Sequence, residues 1–382
     1  TTPNKARGGD SAGFSFYIKE YNTPMRGRLM HLWRQYERHI ALGALVFGFI
    51  LDSFLLTRPD QFLDNAILLS YLAIAGGAIL LMTMRAARGS AENRLAPFLP
   101  VLLQFCFGSL SSGLLVLYFR SGTFAQSLLF FVFLGALLVG NEFLKSRYAQ
   151  FRFNIAIYYI LLLCYVALTV PVLLHSIGPL VFILSGVVSI GAIALYLWVL
   201  LLCARQELVR HIRPAGVIVG LVFVVFNILY FINIIPPVPL AMRELGIYHS
   251  VLKRSDGSYT AMYEPAPWWE FWRDTSGHYA AMPNGSTFCF SSVFAPTDLT
   301  APIYHKWEYY NPATSAWEER SRLSFPISGG RDDGYRGFSI KTGLAPGEWR
   351  CNVETAAGAL IGRVSFTVNI SSTTPALSQK TL

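Results

Sequence analysis

Charge is scarce in this chain. Of its 382 residues only 14% are Asp, Glu, Lys or Arg, about half the share of a soluble protein, while 53% are hydrophobic. That balance excludes an ordinary soluble domain as a description of the whole chain. Histidine is missing where cofactor chemistry would need it. All seven histidines (His31, His39, His175, His211, His249, His278 and His305) lie outside the long apolar runs or at their ends. A haem or chlorophyll ligated in mid-membrane usually takes an imidazole there, and an intramembrane zinc hydrolase takes several, so neither cofactor nor metal is expected. Cysteine forms no C-x-x-C pair, which removes the usual zinc and redox motifs. Cys106, Cys164 and Cys203 sit in apolar runs and read as small buried hydrophobes. The first 38 residues are polar and hold no apolar stretch of signal-peptide type, so no cleaved signal is expected.

The charge that is present is unevenly placed. Residues 1–239 hold 18 Lys/Arg against 9 Asp/Glu, whereas residues 240–382 hold 13 of each, so the net +9 belongs to the first part. A basic balance can point to nucleic acid, but here the cations cluster between apolar runs, where they orient membrane helices. No nucleic-acid partner is expected; the lipid bilayer is.

Seven runs are long enough, or nearly so, to cross a bilayer at roughly 17–25 residues each. They are 40–56, 65–84, 97–119, 123–143, 154–174, 178–203 and 214–235. Sixteen Lys/Arg fall before the first run and in alternate loops, and the other loops carry only Arg58 and Arg120. The positive-inside rule then predicts a cytoplasmic N-terminus and, after seven spans, an extracytoplasmic C-terminal region. Residues 24–39 show Met25, Leu29, Leu32, Trp33 and Tyr36 at helical spacing, with Arg26, Arg34 and Arg38 on other faces. They predict an amphipathic helix lying on the cytoplasmic leaflet or, alternatively, docked on a partner subunit.

Ionisable residues inside spans are the default functional candidates. Asp52 and Glu142 are the intramembrane polar candidates, Asp52 toward the outer end of the first run and Glu142 near the cytoplasmic end of the fourth. Interfacial ion pairs are the plainer reading of both. The run Gly108-Ser109-Leu110-Ser111-Ser112-Gly113 could suggest a serine nucleophile, but that needs a histidine base within reach. Small residues on a membrane helix ordinarily permit close packing instead, and Asn227 and Asn233 read as interhelical hydrogen bonders.

Pro236, Pro237 and Pro239 stop the last helix, and short alternating runs follow at 259–263, 287–294, 303–310, 317–325, 336–341, 348–354 and 360–368. Asn311-Pro312, Gly329-Gly330, Asp333-Gly334 and Pro346-Gly347 are turn signals between them. About seven strands of this length predict an immunoglobulin-like β-sandwich, with Trp349 and Phe366 facing inward. The expected organisation is a cytoplasmic segment 1–39, a seven-helix membrane domain 40–235, a linker 236–257, a periplasmic sandwich 258–370 and a polar tail 371–382.

The motifs Ile303-Tyr304-His305-Lys306-Trp307, Gly329 to Ser339, Gly347-Glu348-Trp349-Arg350 and Gly362-Arg363-Val364-Ser365-Phe366 occur in order at suitable spacing. Over about 303–368 the chain resembles the bacterial domain-of-unknown-function 2914 family. The resemblance implies a bacterial envelope protein with a C-terminal domain behind a multi-span region, and it implies no activity. A catalytic or metal cluster of His305, Glu308, Asp332 and Asp333 lacks the ligand count of a calcium loop. Arg331, Asp332, Asp333 and Arg336 read as a hydrogen-bonded loop fixing a turn. Trp268, Trp269, Phe271 and Trp272 form the candidate interaction surface, as domain core, lipid belt, or contact for protein or glycan. Cys289 and Cys351 can bridge only if their strands lie close.

Two functional classes follow. One is a non-catalytic scaffold or accessory subunit of a larger inner-membrane assembly (respiratory, photosynthetic or envelope-building), with the outer domain as its interaction module. The other is a transporter or lipid-modifying membrane enzyme using Asp52, Glu142 or an outer-face site near His175.

Overall fold

The computed structural model describes residues 46–47, 49–56, 58–88, 98–143, 150–270, 273–283, 285–331, 333–371 and 375–382. The amphipathic segment expected at 24–39 and most of the first run lie outside the described residues, although 49–55 are helical. Seven helices follow: α1 (Phe62–Arg88), α2 (Phe98–Arg120), α3 (Phe124–Phe143), α4 (Phe151–Leu174), α5 (Pro179–Cys203), α6 (Arg205–Leu208) and α7 (Ile212–Phe231). Five of these, α1, α2, α4, α5 and α7, are long and apolar enough to cross a membrane, and α3 holds a shorter apolar stretch, Gln126–Asn141. They mark the chain as a membrane protein, because in lipid a backbone can satisfy its own polar groups only as a helix or a closed barrel.

Local chemistry sets the helix ends. α4 closes at His175 in the left-handed region (φ 51°), where the His175 and Ser176 N–H groups reach the carbonyls of Val172 and Pro171. Gly178 and then Pro179 open α5, proline occupying the first turn where no N–H partner is needed. α2 and α4 are the most enclosed spans. The glycines of the small-residue run on α2 allow close approach: a Cβ on Gly113 would come within 2.8–2.9 Å of Leu56 and Leu68, and one on Gly108 within 2.8 Å of Asn141 Nδ2. That run is a packing surface.

The C-terminal region is β-rich: β1 (Ala241–Tyr248), β2 (Ser250–Lys253), β3 (Tyr259–Tyr263), β4 (His278–Ala281), β5 (Ser286–Phe294), β6 (Thr300–Asn311), β7 (Ala316–Ser328), β8 (Tyr335–Thr342), β9 (Gly347–Thr355), β10 (Leu360–Ile370) and β11 (Ser378–Thr381). They form sheets ordered β1-β5-β8, β4-β10-β9-β6-β7 and β11-β3-β2. All pairings are antiparallel except β4 with β10. Each expected strand is present, generally a residue or more longer. The four turn signals fall between strands; at the first, Ala313 N–H bonds the Asn311 side chain at 3.0 Å.

Two stretches outside the expected sandwich differ from expectation, and within it β4 was not expected as a strand. Residues 236–257, read as a linker, hold β1 and β2, and the polar tail holds β11. Glu244 and Gly246 interrupt the apolar alternation of β1, and its register shifts between Met242 and Glu244, so no clean period-two pattern shows. The β11 side chains are largely polar, but the strand pairs with β3 and ends on Leu382, which is buried with Tyr248, Val251, Ala261 and Phe290.

The β1-β5-β8 and five-stranded sheets are joined by a disulfide between Cys289 on β5 and Cys351 on β9, Cα atoms 6.6 Å apart. Around it pack Trp307, Trp349, Phe366 and Ile247. The bridge closes a separation of 62 residues, a constraint on the unfolded chain of about 4 kcal/mol in the loop-entropy picture. Replacing both Cys289 and Cys351 by Ala is expected to lower β-region stability by about that amount. Tryptophan fluorescence during denaturation in detergent checks this, and an unchanged midpoint would count against the bridge.

Candidate functional site

Strand alternation sends successive residues of β6 to opposite faces of the five-stranded sheet. Ile303, His305 and Trp307 face inward and are fully buried. His305 Nε2 lies 2.7 Å from Ser291 Oγ on β5, and Nδ1 lies 2.9 Å from Ser339 Oγ on β8. Trp307 Nε1 donates to the same Ser339 oxygen at 2.9 Å. One proton arrangement uses every group: Trp307 N–H to Ser339, Ser339 O–H to His305 Nδ1, and His305 Nε2–H to Ser291. The imidazole is therefore neutral, and burial pushes its pKa down to about 4. The ligand atoms of Cys289, His305 and Cys351 lie within 4.8 Å of one another, a spacing that suits a metal. Both sulfurs are spent in the disulfide and both ring nitrogens in hydrogen bonds, so the cluster is structural.

Glu308 points to the other face, past a bulge after Trp307. Its carboxylate takes Arg350 Nε, Asn352 Nδ2 at 2.6 Å and Lys306 Nζ at 3.0 Å. Arg363 Nε reaches Asn352 Oδ1 at 2.7 Å, and Arg322 pairs with Glu354 at 2.9 Å. Arg350 stacks on Trp317 and Arg322 on Tyr304, each 4.2 Å from the ring centre. Desolvation raises the Glu308 pKa, but Arg350 and Lys306 outweigh it and hold the group below the usual carboxylate range. His305 and Glu308 thus serve separate structures on opposite faces of one sheet.

The polar turn between β7 and β8 has these described contacts. Gly334 N–H bonds Arg331 O at 3.0 Å, Ser292 Oγ donates to Asp333 O, and Arg336 Nη2 lies 3.5 Å from Asp333 Oδ2. Arg331 sits 5.4 Å from the Tyr335 ring centre; Asp332 lies outside the described residues.

In the helical half, Ser112 Oγ donates to Asp52 Oδ2, beside the close contact of Gly113 with Leu56. The Glu142 side chain lies outside the described residues. Among the described residues neither Asn227 nor Asn233 bonds across helices: Asn227 Nδ2 donates to Phe223 O on its own helix, and Asn233 takes a left-handed turn (φ 57°) at the helix end.

Of the aromatic cluster, Trp268 and Trp269 are described, and Phe271 and Trp272 are not. Trp268 is 86% and Trp269 58% exposed, their rings edge-to-face at 5.8 Å. They are surface, not core. Arg273 ties the loop down through Nη2 to Ser365 O at 2.6 Å. Ser365 stands five residues along β10 from Leu360, whose N–H bonds Gln126 Oε1 of α3 at 3.0 Å. At about 3.3 Å per residue the loop anchor is roughly 17 Å along the strand from the bundle, which weighs against a lipid belt. Sequence reasoning missed a second polar site, where His249 Nε2 meets Glu264 Oε1 at 2.8 Å and its ring stacks on Tyr279 at 4.3 Å. Glu264 follows β3 and Tyr279 lies on β4, so no local spacing signals it.

Residues 300–368 match the family model "Protein of unknown function (DUF2914)". No curated protein matches the chain. Among solved structures, the β-glucosidase from Listeria innocua in complex with gluconolactone is similar over 33% of this chain and 16% of that one, at 10% identity and a TM-score of 0.18. Its complex with isofagomine gives the same coverage at 11% and 0.19. The Pseudomonas fluorescens alkylpurine DNA glycosylase AlkC bound to DNA containing an abasic site analog covers 82% of this chain and 99% of that one, at 9% and 0.20. The chain thus spans under a fifth of the glucosidase, and TM-scores this low bear on neither fold nor activity.

Because His305 is held neutral while an unfolded histidine protonates near pH 6.5, the unfolded state binds more protons below that value. The β-region is expected to lose stability as pH falls from about 6.5 toward 4, with a limiting slope of about 1.4 kcal/mol per pH unit. His305→Gln should flatten that slope, as read by denaturation of the full chain in detergent at pH 7.5 and 5.0.

Proposed function

We propose that this protein is a non-catalytic scaffold or accessory subunit of a larger bacterial inner-membrane assembly, with its β-region as the interaction module. In this reading the chain crosses the membrane seven times with its N-terminus in the cytoplasm, and the β-region stands in the periplasm. The alternation of sixteen loop cations against two supports that orientation. An immunoglobulin-like sandwich is supported by the strand orders β1-β5-β8 and β10-β9-β6-β7, the disulfide between the two sheets and the buried Trp307 beside it.

The observation that carries the reading is the pair Trp268 and Trp269, exposed on a tethered loop at the β4 edge of a bridged double sheet. Exposed tryptophans on a rigid support are typical anchors of protein interfaces, where truncation commonly costs 2 kcal/mol or more of binding. The buried polar groups described above are engaged in packing contacts or turn formation, which suits a platform better than a reaction centre. No particular observation favours transport or lipid chemistry at Asp52, whose carboxylate is held by Ser112.

Purification in mild detergent should yield the wild-type chain in a complex of defined mass, with cross-links from a photoreactive residue placed at position 268. Trp268→Ala with Trp269→Ala is expected to release the partner while leaving the melting temperature within about 1 °C, since exposed side chains contribute little to folding. A lone wild-type monomer, or an unchanged complex in the double variant, would sink the proposal.

A further inference from the structure

Between the two sheets that the disulfide joins, three side chains far apart in sequence come together. Cys289 stands on β5, His305 on β6 and Cys351 on β9, and all three are fully buried. One donor atom from each lies within 4.8 Å of the other two. Backbone pairing sets these positions independently of the bridge: Cys289 sits opposite Ser339 of β8, and Cys351 opposite Trp307 of β6. With the bridge closed, both sulfurs are spent on each other. With it open, two thiols and an imidazole share one small volume.

Thiolate with imidazole is the donor set of a zinc-type site. Bonds of about 2.0–2.3 Å around a tetrahedral ion hold its ligand atoms roughly 3.5–3.8 Å apart, so the three donors need to close up by only about 1 Å. Charge favours a divalent ion. Two thiolates and one such ion sum to zero, and a neutral imidazole adds nothing, so the filled site brings no net charge into the buried core. The histidine is also held from outside the cluster. Its Nε2 lies 2.7 Å from Ser291 Oγ and its Nδ1 2.9 Å from Ser339 Oγ. Whichever ring nitrogen turns to the ion, the other keeps a serine partner, the arrangement that orients metal-bound histidines. The serine released on the ion's side leaves a hydroxyl oxygen beside the fourth position.

We propose that the chain with its Cys289–Cys351 bridge open binds a thiophilic divalent ion of the zinc type through the two cysteine sulfurs and one ring nitrogen of His305. Metal and disulfide are then alternative ways of closing the same core. Opening the bridge takes two electrons from a dithiol or phosphine reductant and two protons from water, and yields two thiols. The ion binds both as thiolates and releases those two protons to solvent. Reclosure expels the ion as the S–S bond forms and passes two electrons to a disulfide oxidant.

The test uses the full chain in mild detergent, reduced with a phosphine and titrated with Co²⁺ as a spectroscopic stand-in for Zn²⁺. Reduced wild type should take up Co²⁺ with the charge-transfer band of thiolate ligation, and Zn²⁺ should displace it and raise the denaturation midpoint. The oxidised chain should do neither. Cys289→Ser with Cys351→Ser should abolish both effects. His305→Gln should weaken uptake on the order of tenfold or more, since loss of even an outer partner of a metal ligand costs that much. His278→Gln, at an exposed position on β4, should change nothing. Site-resolved alkylation of reduced wild type gives a reading that needs no variant to fold: Zn²⁺ should slow modification of Cys289 and Cys351 and leave the exposed Cys203 as reactive as before. No thiolate band in reduced wild type, no protection of the two cysteines, or uptake that His305→Gln leaves unchanged would each overturn the proposal.

Discussion

A hydrocarbon interior supplies no hydrogen-bond partner, and several described polar side chains of the helical half are placed accordingly. Tyr118 OH donates to Cys164 O at 2.9 Å, Tyr196 OH to Gly76 O at 2.7 Å, and Asn141 Nδ2 to Gln104 O at 2.9 Å. Thr83 and Ser185 turn their hydroxyls back on carbonyls four residues earlier. Each bond contributes only about 1 kcal/mol, but leaving such a group unmade in lipid costs several. These contacts therefore act as constraints on which helix faces may meet. Tyr196 bonding Gly76 fixes α5 against α1, and Tyr118 bonding the α4 backbone fixes α2 against α4. The outward faces need no such care. Leu180, Val217 and Leu221 are more than 60% exposed, as suits helices in contact with lipid.

Outside that environment the polar logic inverts. The β-region bears as many acids as bases, and it gathers several of them, Lys306, Glu308, Arg322, Arg350, Glu354 and Arg363, on one face of the five-stranded sheet while neutral groups occupy the space between sheets. Glu308 could be buried only because Lys306, Arg350 and Asn352 meet it; removing one partner from such a group typically costs 3–5 kcal/mol. Between the sheets the same problem is solved without charge. His305 stays neutral, its two nitrogens bonded by serines from the opposing sheet, and the disulfide and Trp307 fill the remaining volume.

The limits of reading such a chain from its sequence follow from the same physics. Apolar runs and strand alternation are local signals, so 154–174 and 178–203 emerged close to α4 and α5, and 259–263 coincided with β3. Turn chemistry is local too, which is why Asn311-Pro312 and Asp333-Gly334 were readable. β1 was hidden by a register shift and by the proline run before it, and β11 by a polar composition that makes sense only once Leu382 has a core to enter. The candidate sites depended on distance in space. His305 and Glu308, three residues apart, were grouped by sequence and separated by the pleat. Cys289 and Cys351, 62 apart, were joined. His249 and Glu264 had no spacing to announce them.

The junction decides how the two chemistries are coupled. Asp60, in the loop before α1, accepts Arg58 and lies 3.4 Å from Thr297 N–H of the β5–β6 loop, while Arg58 rests 5.0 Å from the centre of the Phe294 ring. On another side Gln126 of α3 accepts the Leu360 N–H at the start of β10, and Gly122 lets Pro236 approach where a Cβ would fall 2.8 Å away. Ile177, between α4 and α5, packs into the cluster of Leu240, Ile303 and Val353. Contacts from three separate loops fix orientation as well as position, since a single tether would leave the β-region free to swing. A region held in this way presents its Trp268–Trp269 edge at a set distance from the helix ends. Under the role proposed above, that geometry is what a partner would have to match, and the spacing between bundle and loop would count in recognition alongside the tryptophans.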